Sequence, residues 1–209
     1  MQQASKLDST MKLGGRGIIS IGIAGGLDPG LAPGDWVVAA GVVTERERFP
    51  TDRSWSQRLL DALPGAIYAD IAGVNSPVAD PMAKRALRDA NGTAAVDMES
   101  HIAAEVAAAH HVPFAACRVI IDPASRTVPP AALLGLRLDG MPDIGAMLHS
   151  LVRQPSQLLA FLRIVADARA AGAALLRGRR LIGANLGFPY VAEPGVELAH
   201  TEIISPVHP

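Results

Sequence analysis

Cysteine is almost missing from this chain of 209 residues: Cys117 stands alone, inside an apolar run. One thiol can make no intrachain disulfide and no CxxC metal site, which fits a reducing cytoplasm. Its mid-strand position reads as buried filler rather than as a nucleophile. Charge has no dominant sign. Nineteen Lys and Arg stand against 20 Asp and Glu, a net charge of −1, so no cationic face for nucleic acid is indicated. No stretch approaches the roughly 18 uninterrupted apolar residues of a membrane span. The first 17 residues are polar and Gly-rich, without the apolar segment of a signal peptide. G-x-G-x-x-G, the P-loop pattern and the G-x-S-x-G elbow are all absent. His101, His110 and His111 lie close in sequence but lack a third protein ligand, so no metal site is expected.

What the chain does have is apolar mass. Hydrophobic residues make up 49% and charged residues 19%, enough for a large core in a domain of this length. The mean hydropathy of +0.25 is driven by alanine. Residues 1–16 show no period of 2 or 3.6 and read as a loose lead-in. The β-branched run 17–23 predicts a buried strand that enters a Gly-rich turn at 24–30, and 36–44 predicts a second strand. A helix is expected over 54–63, with Trp55, Leu59, Leu60 and Leu63 on one face and Pro64-Gly65 as its stop. A strand over 66–74 follows, then a helix N-capped by Asp80, with Pro81 in its first turn and Asn91-Gly92 at its end. The next helix is expected over 97–110, with Met98, Ile102 and Val106 facing the core. Residues 114–121 form a continuous apolar run, the mark of a strand covered on both faces. A loop over 124–140 and helices over 142–151 and 157–178 complete the pattern. Leu158, Phe161, Leu162, Val165 and Leu175 give the last helix its stripe. Strands alternating with helices predict one α/β domain over 17–180, three-layered, with a mostly parallel central sheet flanked by helices and an irregular tail over 181–209.

In open α/β sheets, ligands gather beyond the carboxyl ends of strands. Asp122 sits at such an end, where partial desolvation would raise its pKa and suit it to general-acid work. An Asp before Pro123 can equally cap a turn through nearby amides. Glu99, placed in the first turn of the 97–110 helix, is either a carboxylate for paired hydroxyls or an acid favoured by the helix dipole. Asp97 has the same two readings, a substrate-binding carboxylate or an N-cap, with the N-cap favoured. The glycines of 22–30 make either a tight turn or a place where backbone can approach a ligand.

Three segments, in order, resemble the purine nucleoside phosphorylase and nucleosidase family. Gly22-Ile23-Ala24-Gly25-Gly26-Leu27, followed by Gly34-Asp35-Trp36-Val37-Val38, is similar to its G-[ST]-[AC]-G-G-L…G-D-[IV]-V element. Val96-Asp97-Met98-Glu99 is similar to V-[ED]-M-E, and Arg118-Val119-Ile120-Ile121-Asp122 to R-x-[IV]-S-D. Within the family, Gly73-Val74-Asn75-Ser76-Pro77-Val78 and Asp97-Met98-Glu99-Ser100-His101 carry a likeness to the hopanoid-associated phosphorylase-like branch. The resemblance implies cleavage of the N-glycosidic bond of an adenine nucleoside, adenosylhopane in that branch, by a cytoplasmic homodimer or larger assembly.

Residue by residue, the resemblance implies that Asp122 protonates the purine at N7 and Glu99 binds the ribose hydroxyls. Met98 would pack on the sugar, Ala24 and Gly25 would line the site with backbone, and Asn75 and Ser76 would border the base. No cofactor is implied, although phosphate would be a co-substrate in phosphorolysis. Three departures stand out. The family's first strand and Gly-rich loop have no match in 1–16, so the chain reads as lacking that βα unit. Ile23 occupies a place where phosphorylases hold phosphate, which favours hydrolysis. Ile121 stands where a serine often precedes the Asp. A nucleoside-binding member without turnover is the alternative expectation, and a flavodoxin-like domain lacks its phosphate loop.

Overall fold

The computed structural model describes residues 2–128 and 158–189. In chain order it contains α1 (Gln2–Lys12), β1 (Ile18–Gly26), β2 (Trp36–Val43), β3 (Arg48–Pro50), α2 (Arg53–Ala62), β4 (Ile67–Gly73), α3 (Pro81–Asn91), β5 (Ala95–Asp97), α4 (Ser100–Ala109), β6 (Phe114–Asp122) and α5 (Leu158–Ile182). The expected helix over 142–151, most of the loop over 124–140 and the end of the tail lie outside the described residues.

The architecture is α/β with a sheet flanked by helices, and the sheet is mixed. Parallel ladders join β1 to β6, β2 to β4 and β4 to β5. Antiparallel ladders join β1 to β5, β2 to β3 and β2 to β6. These pairings close a ring, β1-β6-β2-β4-β5, with β3 attached to β2. The longest ladder is parallel and joins β1 to β6 from Ile18↔Phe114 to Gly25↔Asp122.

Alternation along β6 explains why its apolar residues, interrupted only by the buried Arg118, occupy both parities. Phe114, Ala116 and Ile120 enter a core with Leu7 and Met11 of α1 and Ala103, Ala104 and Ala107 of α4. Ala115, Cys117 and Val119 enter a second core with Trp55 and Leu59 of α2 and Ala171, Ala174 and Leu175 of α5. A strand covered on both faces needs apolar residues at both parities. Burial pushes the Cys117 thiol up to about 12, so it stays protonated as core filler.

Five local expectations are corrected. Residues 2–12 form a helix rather than a loose lead-in, because Leu7 and Met11, one turn apart, are buried against α4. His110, the C-cap of α4, and Asp8 of α1 also join at 2.8 Å. β1 continues through Gly26 instead of turning at Ala24, since Gly25 pairs with both Val96 and Asp122. A Cβ at Gly25 would stand 3.4 Å from the Asp122 carboxylate oxygens and from Val96. The segment 95–97 is a strand, and α4 begins only at Ser100. Its buried residues are Ser100, His101, Ala103, Ala104 and Ala107; Val106 is half-buried against the core as expected, Ile102 is half-buried, and Met98 is exposed. The last helix buries Ala171, Ala174, Leu175 and Ile182, leaving Leu162 outside. The tail's first residues pack too. Leu186 is buried, and Phe188 meets Trp55 edge-on at 4.8 Å.

Candidate active site

The C-terminal ends of β1, β5 and β6 converge on a cavity of about 300 Å³. Its described lining includes Ala24 and Gly25 from β1, Met98 and Glu99 from the β5–α4 junction, and Asp122 from the end of β6. Residues almost 100 positions apart therefore meet in one place, because β1 and β6 are neighbours and β5 lies on the other side of β1. The wall also includes Ile23, Val74, Pro77, Val78, Ala79, Val96, Ile121, Val128 and, from α5, Ile164. Its acidic members are Asp97, Glu99 and Asp122, and no Lys or Arg is among the described lining residues.

Asp122 is mostly buried and held from behind by Lys84 of α3, whose Nζ donates to Asp122 Oδ2. Burial raises the pKa of Asp122. The Lys84 charge and hydrogen bond oppose this, Asp167 adds to it, and Arg126 opposes it. Burial prevails, so Asp122 holds a proton to higher pH than an ordinary aspartate. Its side chain does not cap the turn at Pro123; its hydrogen bond goes to Lys84.

Glu99 occupies the N-cap position of α4, and its side chain makes no capping hydrogen bond. That work falls to Asp97, whose Oδ1 accepts from the backbone N–H groups of Ser100, at 3.0 Å, and Glu99, at 3.3 Å. Asp97 Oδ2 accepts from Ser100 Oγ and from Nε of Arg118, which is fully buried. Arg118 also donates to Ser20 Oγ at 2.7 Å and to the Cys117 carbonyl at 3.2 Å. The expected capping role of Asp97 is thus met from outside the helix, and its charge is neutralised by a residue of β6.

Asn75 and Ser76 are not among the lining residues. The Asn75 amide oxygen lies 3.2 Å from His101 Nε2 on α4, and Ser76 is exposed. The segment after β4 contributes Val74, Pro77, Val78 and Ala79 to the wall instead. Lys84 was not foreseen. Its visible clue is its spacing on α3: Lys84, Leu87 and Arg88 lie three and four apart on one face, whereas Met82 points outward.

A sequence family described as the Phosphorylase superfamily matches residues 9–134. No curated protein matches the chain. Among solved structures, futalosine hydrolase of Helicobacter pylori is similar, with 20% identity over 57% of this chain and a TM-score of 0.53. The match spans 63% of that hydrolase chain. S-adenosylhomocysteine nucleosidase of Streptococcus pyogenes shares 18% identity over 85% of this chain and 72% of its own, with a TM-score of 0.56. The 5′-methylthioadenosine/S-adenosylhomocysteine nucleosidase of Colwellia psychrerythraea, in complex with adenine, shares 16% over 86% of this chain and 72% of its own, with a TM-score of 0.59. At these identities the likeness is one of fold.

Proposed function

The chain belongs to the phosphorylase superfamily, and from that membership and the shared cavity of Asp122 and Glu99 we propose that it hydrolyses the N-glycosidic bond of an adenine nucleoside. The pairing of the two carboxylates carries the reading, because the reaction needs two different things from acids. As the C1′–N9 bond breaks, its electron pair goes to the base, and a proton delivered to N7 makes adenine a neutral leaving group. Asp122, with its pKa raised by burial, is suited to give that proton. The sugar becomes cationic at C1′, and a carboxylate nearby stabilises that charge while accepting hydrogen bonds from ribose hydroxyls. We assign this role to Glu99, which lines the same cavity. Water then adds to C1′ and releases its own proton to solvent. Adenine bound to the neighbour from Colwellia psychrerythraea supports the base assignment.

Hydrolysis is preferred over phosphorolysis on electrostatic grounds. No Lys or Arg among the described lining residues offers a counter-charge to a phosphate dianion, and the Ile23 side chain offers no hydrogen-bond donor. The mainly aliphatic wall of Val74, Pro77, Val78, Val128 and Ile164 suits an apolar substituent on the nucleoside. That agrees with the lipid-linked adenosylhopane of the branch the sequence resembles.

The test is release of adenine from adenosine and adenosylhopane, followed chromatographically with and without phosphate. Free sugar formed at equal rates in both conditions is expected. A strict phosphate requirement overturns hydrolysis, and binding without release overturns the enzyme reading. In the same assay Glu99→Gln is expected to lower kcat/KM by about 10- to 100-fold, the loss of a charged hydrogen-bond acceptor. A 2′,3′-dideoxy substrate should be far less sensitive to that substitution. Equal sensitivity would remove Glu99 from the ribose.

A further inference from the structure

Lys84 is fully buried, yet it does not line the cavity. A buried ammonium is tolerated only where all its donors are met. Here all three are: Nζ donates to Asp122 Oδ2, to the Pro123 carbonyl at 3.0 Å and to the Arg126 carbonyl at 3.3 Å. One lysine thus ties α3 to the last residue of β6 and to the segment that follows. That segment is fastened again where Val128 N–H donates to the Ala79 carbonyl at 3.0 Å. A third tie joins Arg126 to Asp167 of α5 at 3.1 Å. Asp122 Oδ1 receives no hydrogen bond from a described residue. The side chain before it, Ile121, is aliphatic and can offer none.

We propose that Lys84 is a positioning residue for glycosidic cleavage, fixing Asp122 by one oxygen so that the other is presented to the leaving base. The inference rests on the proposed nucleosidase reaction. Lys84 acts through Asp122 and touches no substrate. A lysine used only to fasten the wall would matter for stability; one that sets Asp122 also moves its ionisation. The charged groups facing Asp122 are Lys84 of α3, Arg126 of the following segment and Asp167 of α5, with Asp97 and Glu99 across the cavity. Removing the Lys84 cation leaves burial and the Asp167 charge less opposed, so the proton on Asp122 is held more tightly.

The experiment compares wild type, Lys84→Met, Asp122→Ala and the double variant, measuring kcat, KM and the pH profile of adenine release. Lys84→Met is expected to lower kcat at neutral pH at least tenfold with KM within about threefold. Its activity should fall with rising pH at a higher pH than in wild type. In the double variant, Lys84→Met should add less than a twofold loss, because its route to the substrate is gone. A Lys84→Met enzyme with wild-type kcat and pH profile, or a full additional loss in the double variant, overturns the proposal. Should Lys84→Met fail to fold, Lys84→Gln, which keeps a shorter donor, is measured by the same criteria. Wild type that releases no base sinks the nucleosidase reading itself. In that case the Asp122 carboxyl, titrated by ¹³C NMR in wild type and Lys84→Met, still decides whether the lysine sets it.

Discussion

Asp122→Asn is expected to release adenine about 10²- to 10⁴-fold more slowly than wild type, the range over which a positioned general acid contributes. The substitution keeps the shape of the side chain and an oxygen for Lys84. It also keeps an N–H that can bond to purine N7. What it removes is a proton that can be transferred. A loss of that size with KM changed only a few-fold therefore reports proton transfer rather than binding. The pH profile gives an independent sign. Burial raises the pKa of Asp122, so the protonated, working form persists above the ordinary aspartate range near 3.9. The contribution of Asp122 to wild-type activity then falls as pH rises through the folded-state value. Asp122→Asn should lose that limb. Full activity in the Asn variant, with circular dichroism unchanged, would exclude Asp122 as the acid.

The legible part of the fold was the part set by local rules. Asp80, Pro81 and Gly92 bound α3 as their chemistry requires: Asp80 caps Ala83 N–H at 3.0 Å, and Gly92 takes the left-handed φ of 68°. The two-sided burial of β6 was written in an apolar run interrupted only by Arg118. The closed, mixed sheet was not legible, because strand pairing is a long-range property: β2 meets β6 antiparallel across some 80 residues of sequence. α1 was missed because its apolar stripe is only Ala4, Leu7 and Met11, and α4 supplies the surface that makes it fold.

The site divided in the same way. Met98, Glu99, Asp122, Ala24 and Gly25 came from contiguous motifs, and the fold places all five on one cavity. Asn75 was assigned from its neighbours in sequence, whereas its partner His101 lies 26 positions away. Lys84 lies outside every motif, and only the approach of α3 to the end of β6 gives it meaning.

Arg118→Met is expected to destabilise the fold by about 3–5 kcal/mol, the penalty for leaving a buried carboxylate without its counter-charge. Arg118 and Asp97 are almost wholly buried, with side-chain exposures of 1% and 4%. Methionine can fill much of the space along β6, so the lost interaction, more than a cavity, sets the size of the effect. Asp97 would keep Ser100 Oγ and two backbone N–H groups, but none of these neutralises it. For a chain of this length that energy corresponds to a fall in Tm of roughly 6–20 °C, readable by calorimetry. Adding Asp97→Asn should recover much of the loss, since the remaining buried groups are then neutral. A single variant within about 1 kcal/mol of wild type would mean that the pair is dispensable. The consequence reaches the cavity through the backbone. Asp97 holds the N–H of Glu99 and that of Ser100, so the backbone at Glu99 is fixed by a buried ion pair between β5 and β6, the strand that ends in Asp122. The counter-charges of Asp97 and Asp122, Arg118 and Lys84, thus both come from outside the described lining of the cavity.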